Sequence, residues 1–249
     1  MKTLFSKNPQ SAILSHRRAA QGFTLMETVI AIGVLAILLT GFLAVFTPAA
    51  QGIRRSISAQ QADRLASTLE RELVTLRAAQ NPTSATTGFG KAFEWIRNGT
   101  NSSNAIFVYQ YRGNSANLRA DGTPTPMPGN SGQPGVDYVV QSMARRLDDN
   151  LLQADLGALE GAVFFVKPTQ LVLTNNQMTV GTAGIIRNPL PTGGNASDAL
   201  SYADAVIAFS AEFHSVPTKS YAYLSGTQFA TRFNTAKRPV FTRNLAVRR

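Results

Sequence analysis

Gly22-Phe23-Thr24-Leu25-Met26-Glu27 opens an apolar run that continues to Phe46. Across the 24 residues from Phe23 to Phe46, Glu27 is the one charged residue, and Leu, Ile, Val, Ala and Phe dominate, with Thr24, Thr28, Thr40, Gly33 and Gly41 interspersed. As a helix rising ~1.5 Å per residue, the run reaches about 36 Å, enough for a hydrocarbon core of ~30 Å. Before it lie 22 residues that hold Lys2, Lys7, Arg17 and Arg18 and no acid. A secretory signal places its apolar stretch ahead of a small-residue cleavage site. Here the polar leader comes first and the apolar run follows, so cleavage by that route is not expected. The basic leader predicts a cytoplasmic N-terminus, although Arg54 and Arg55 on the far flank weaken the asymmetry.

Glu27 is the anomaly. A carboxylate within an apolar helix costs about 2.5–3.5 kcal/mol near the bilayer centre and less near an end. Its position, five residues into the chain that begins at Phe23, together with Gly22 and the basic leader, resembles the type IV prepilin processing signal. Type IV pilins, minor pilins and the pseudopilins of type II secretion share that signal. The resemblance implies that a membrane aspartyl peptidase, the prepilin peptidase, cuts between Gly22 and Phe23 and methylates Phe23 as the new N-terminus. It implies that Glu27 pairs with the amino terminus of a neighbouring pilin or pseudopilin subunit and sets axial register, since opposite charges neutralise each other in an apolar core. It further implies a bacterial inner-membrane protein, single-pass, with inner-membrane lipid around its helix and an extracytoplasmic head, later moved into a pilus or pseudopilus. The leader is longer than in many pilins, and Pro48 lies a few residues beyond the usual helix-bending proline.

Past Pro48 the pattern becomes one-sided. Ile53, Ile57, Leu65, Leu69, Leu73 and Leu76 mark one helical face, with Arg54, Arg55, Asp63, Arg64, Arg71, Glu72 and Arg77 on the rest. A single helix from about Phe23 to Ala79 is expected, ended by Asn81-Pro82, and its second half needs a partner surface. In the resembling proteins that partner is an antiparallel sheet. Strand composition recurs at Ala105–Arg112, Val136–Met143, Ala162–Lys167, Gln170–Thr174, Ala205–Val216, Gln228–Phe233 and Val240–Val247, and more weakly at Gln177–Arg187. Pro168 is expected to split two of these strands. Arg145–Glu160 reads as a short helix; Asn81–Lys91 and Asn98–Asn104, on either side of a short apolar piece with Trp95, read as loops, as do Asn114–Pro134 and Asn188–Asp198. The predicted organisation is α+β: leader 1–22, membrane or filament-core helix 23–46, amphipathic continuation 47–80, and a β-rich head over 81–249.

Catalytic chemistry finds little support. The chain has no cysteine and two histidines, and shows no metalloprotease, phosphate-loop or nucleophile-elbow motif. No cofactor, no metal and no catalytic residue is expected. His214 reads as a structural residue within a strand. Asp148, Asp149 and Asp155 lack calcium-loop spacing and read as a solvated helix face; Trp95, Tyr109 and Tyr111 read as core aromatics. The net charge is +10, and after Glu212 there is no acid but there are Lys219, Arg232, Lys237, Arg238 and Arg243. A basic end of this kind is usually solvated, but these five residues form a candidate contact for DNA or another polyanion. The leading expectation is a non-enzymatic filament subunit, minor rather than major on the size of its head. A DNA-binding pilin of an uptake system and a signal-anchored envelope protein without a filament role remain as alternatives.

Overall fold

A computed structural model describes residues 24–78, 86–129 and 131–249, with the side chains of Thr47 and Arg55 excepted. It is divided into two compact units, one ending at Gln51 and one running from Gly52 to Arg249. Helix α1, Leu25–Val74, contributes to both. In the first unit it is apolar all round; Pro48 lies inside it and withholds one backbone donor.

In the second unit α1 becomes one-sided. Ala62, Leu65, Ala66, Leu69 and Leu73 are buried, at the three- and four-residue spacing of one helical face. The buried contact begins at Ala62: Ile53, Ile57 and Leu76, expected on the same face, are exposed. α1 also ends five residues short of the expected Ala79. Its terminal carbonyls are capped from outside by Lys91, whose ammonium donates to Glu72 O at 2.8 Å and Thr75 O at 2.6 Å. Arg77 then folds back on Glu72 through two hydrogen bonds of 2.8 and 2.7 Å. Burial pushes the Lys91 ammonium down to about 8, against the pull of Glu72. Asn81-Pro82 lies outside the described residues.

The short apolar piece with Trp95 is a helix, α2, Gly88–Asn98, which takes in Gly88–Lys91 of the loop expected before it. Thr87 caps it by accepting from Gly90 N at 3.0 Å, and Phe89, Phe93 and Ile96 point inward at helical spacing. Gly88 is required at its start, because a Cβ there would lie 2.3 Å from Val74 O at the end of α1.

The sheet is antiparallel, in the order β2-β1-β4-β6-β7, with β3 also on β1 and β5 on β4. The strands are β1 Ile106–Leu118, β2 Pro124–Pro126, β3 Val139–Arg146, β4 Leu159–Thr174, β5 Gln177–Val180, β6 Val206–Ser215 and β7 Phe241–Arg248. Pro168 does not divide β4. It lies two residues past Val166, where pairing with β1 has ended at Ile106, and a proline is tolerated where a strand has a free edge. β5 is the hairpin arm expected from Gln177 onward, but it stops at Val180.

Both faces of the sheet carry helices, which accounts for the unbroken apolar runs in β1 and β4. Ile106, Val108, Phe164, Val166, Phe209 and Phe213 pack with α1 and α2. Phe107, Tyr109, Tyr111 and Phe165 turn to the other face, toward α3 Leu152–Leu156, α4 Tyr221–Leu224 and α5 Thr227–Thr235. Gln228–Phe233, expected as a strand, belongs to α5. Phe229 and Phe233 are one helical turn apart, and their rings lie 5.3 Å from Phe107 and 5.3 Å from Phe165 respectively. That spacing satisfies the core, whereas a strand would have put the two phenylalanines on one side with Thr231 between them.

Arg145–Glu160 is helical only over Leu152–Leu156; Arg145 and Arg146 end β3, and Leu159 and Glu160 begin β4. Asp149 and Asp155 are buried rather than solvated. The guanidinium of Arg145, itself fully buried, donates to Asp155 at 2.7 Å, Asp149 at 3.0 Å and Asp121 at 2.6 Å. Arg119 approaches the second oxygen of Asp155 at 2.8 Å, and Tyr109 OH donates to Asp155 at 2.6 Å. The network clamps the arm between β1 and β2 to the turn between β3 and β4. Burial alone would push Asp121 up, but hydrogen bonds from Thr123 and Arg145 outweigh it and hold that carboxyl below the usual carboxylate range.

Candidate functional site

The residues singled out by sequence fall into two groups. The first is the start of α1. Gly22 and Phe23, the expected cleavage and methylation positions, lie outside the described residues. From Thr24 to Phe46 every residue is exposed. Among the described residues α1 is the one helix long and apolar enough to cross a membrane. The few polar groups in this stretch are satisfied within the helix: Thr28 Oγ1 donates to Leu25 O and Thr40 Oγ1 to Ala36 O, each at 2.8 Å. Such back-bonding is what lets a hydroxyl sit in an apolar medium.

Glu27 is different. Its backbone N–H donates to Thr24 Oγ1 at 3.2 Å, so Thr24 is the N-cap and Glu27 the third residue of the helix. Thr-x-x-Glu is the spacing of a capping box, a signal that the reading of Thr24-Leu25-Met26-Glu27 as a processing motif passed over. Within the first turn a carboxylate is also favoured by the helix dipole. Yet the Glu27 side chain is exposed and has no hydrogen-bond or ion-pair partner among the described residues. The arrangement among the described residues is an apolar helix with one carboxylate near its start.

The second group is the basic C-terminal set, which does not come together. Arg243 lies on the same face of β7 as the buried Leu245 and Val247 and pairs with Asp63 of α1 at 3.1 Å. Both partners are largely exposed, so the pair contributes little to stability. Arg232 and Arg238 lie on the opposite face, lining a cleft of about 270 Å³ with Phe165 and His214; Arg232 donates to Ser215 O at 3.2 Å. Lys219 and Lys237 are exposed in the connections before α4 and after α5. No group of acids or histidines able to hold a metal occurs among the described residues.

His214 forms the floor of that cleft. Its ring stacks on Phe165 at 4.9 Å, with Nε2 3.4 Å from Glu212. Burial lowers it below the ordinary imidazole range; Glu212 opposes that, and Lys167 adds to it. A depressed imidazole favours folding above its unfolded value, near 6.5, and that contribution is lost as pH falls through the folded value. Denaturant unfolding from pH 7.5 to 5.5 is therefore expected to show declining stability. His214→Gln should flatten the decline; an unchanged pH slope in that variant would assign it elsewhere.

Residues 17–43 match the family described as the prokaryotic N-terminal methylation motif. No curated protein and no solved structure matches the chain. The matched segment contains Gly22, Phe23 and Glu27 and is the type IV prepilin signature. The motif supports a type IV pilin-like protein, implies processing by prepilin peptidase and assembly with other pilin subunits, and with the apolar helix fits a membrane-anchored pilin.

Proposed function

We propose that this chain is a minor, non-enzymatic subunit of a type IV pilus or a type II secretion pseudopilus. It is cut after Gly22, carries a methylated Phe23, and waits in the inner membrane with its N-terminus cytoplasmic until its apolar helix is drawn into a filament. The observation that carries this reading is the fully exposed stretch Thr24–Phe46, with Glu27 at its start unpaired among the described residues. A lipid bilayer solvates the apolar surface but not the carboxylate. A filament core solvates both if the amino terminus of a neighbour meets Glu27. The size of the Gly52–Arg249 unit supports a minor rather than a shaft-forming role.

The test is N-terminal sequencing and mass measurement of the membrane-expressed chain, with and without prepilin peptidase. The mature protein is expected to begin at Phe23 with one added methyl group, and Gly22→Leu is expected to leave it unprocessed. A mature terminus at any other residue, or one independent of the peptidase, would instead identify a signal-anchored envelope protein.

A further inference from the structure

The sheet face turned away from α1 is only partly covered. α3, α4 and α5 lie over Phe107, Tyr109, Tyr111 and Phe165, at one end of the strands. Beyond them strand alternation shows which side chains are left bare. In β7, Leu245 and Val247 are buried on the α1 side, while Asn244, Ala246 and Arg248 are exposed on the other. In β6, Ile207 and Phe209 take the α1 side, leaving Val206 and Ala208 half-buried opposite. In β4, Phe164 and Val166 take the α1 side, so Leu171 and Leu173 turn away from it. The register Leu171↔Val180 and Leu173↔Met178 puts Val180 and Met178 on that same face.

Leu173, Met178 and Val180 are 61%, 55% and 60% exposed. The long connection between β5 and β6 does not shield them, because its anchors Ile186, Ala196 and Tyr202 are packed in the α1-side core. The charges bordering this face have one prevailing sign. Arg248 stands at its β7 edge, where it also lines a groove with Ser67, Glu70, Arg71 and Val74 of α1, and Arg232 and Arg238 line the cleft beside α5. The Arg238 guanidinium has no partner among the described residues. Glu212, a carboxylate on this face, is next to His214 and opposite Lys167 in the strand register.

We infer that this half-sheet is the docking surface for a different protein, one whose contact patch has an apolar centre flanked by Asp or Glu. An exposed apolar patch with a polar rim is the usual mark of an interface. The charge decides the occupant. A two-fold contact between copies of this chain would bring the same patch against itself and set Arg248, Arg232 and Arg238 against like charges, whereas an acidic rim is complementary. The inference concerns the head alone and goes beyond the reading of the N-terminal helix.

The experiment is site-specific photocrosslinking in cells, with a photoreactive phenylalanine analogue at position 178 of the full-length chain. One discrete adduct with another envelope protein is expected, its crosslinked peptide apolar with acidic flanks. Leu173→Ser combined with Val180→Ser should lower its yield at least about fivefold, and Arg248→Glu combined with Arg238→Glu at least about threefold. All four side chains are exposed, so the unfolding midpoint and the Phe23 terminus should match the wild type, which separates failure here from failure of the assembly reading. An adduct of the chain with itself, no protein adduct, a partner peptide without acids, or unchanged yields in the variants would each overturn the inference.

Discussion

Replacing Arg145 with alanine is expected to destabilise the sheet unit by about 3–5 kcal/mol at neutral pH, because it strips the cation from three buried carboxylates at once. Asp121, Asp149 and Asp155 each spend one oxygen on Arg145, at 2.6, 3.0 and 2.7 Å. Their remaining oxygens are held by Thr123, the Leu151 backbone N–H and Arg119. Without the guanidinium, Arg119 alone faces three anions that water reaches poorly. The defect should therefore depend on pH in a definite direction. Asp121 loses one of the hydrogen bonds that hold its carboxyl below the usual range, so the upward push of burial is less opposed. That loss is felt more as pH rises, so the gap between variant and wild type should narrow from pH 7.5 to pH 5. Removing the carboxylates as well, by Asp121→Asn, Asp149→Asn and Asp155→Asn in an Arg145→Met background, should recover much of the loss, since an entire buried network is often replaceable at little cost. Denaturant unfolding of the full-length chain in detergent measures all three. A loss below about 1 kcal/mol for Arg145→Ala would put the network in the range of a surface pair.

That network is also where sequence reasoning failed, and the reason is physical. Arg145-Arg146-Leu147-Asp148-Asp149 has the composition of an exposed helix. Its burial is set by Asp121 and Arg119, which lie 24 and 26 residues earlier in a Gly- and Pro-rich arm whose path no local pattern fixes. The apolar helix was legible because its signal is local and long, and so was the α+β order, because AIFVYQYR and AVFFV can be little but strands. Gln228–Phe233 misled because so short a run with two aromatics suits a strand as well as a helix; Phe107 and Phe165 on the facing sheet settle it. Leu65, Leu69 and Leu73 were correctly placed on one face of α1, but where that face begins to be covered depends on the width of the sheet. At the start of α1, Thr24 and Glu27 carried two messages in the same four letters, and only one was heard.

Those two messages can be separated by one substitution. Glu27→Gln keeps the cap bond, which runs from the backbone N–H of residue 27 to Thr24 Oγ1, and it keeps the shape of the side chain. It removes only the charge. If Glu27 did no more than start the helix, the variant would behave as the wild type. If its charge drives assembly, two effects act in the same direction. The neutral side chain lowers the cost of staying in lipid, by up to about 2.5–3.5 kcal/mol for a deeply placed carboxylate and less at this terminal position. The neutral side chain also leaves a neighbour's amino terminus unpaired in an apolar core, where an uncompensated charge is costly. The expected result is normal processing to Phe23 and normal membrane levels, with the share recovered in the filament fraction falling at least tenfold, or about 1.4 kcal/mol. Thr24→Ala supplies the converse: it loses the cap bond seen at 3.2 Å, at about 1 kcal/mol of helix stability, but keeps the carboxylate, so incorporation should fall far less. Equal partition of Glu27→Gln and wild type between membrane and filament would leave Glu27 as a cap alone, and the pairing assigned to it would have to be abandoned.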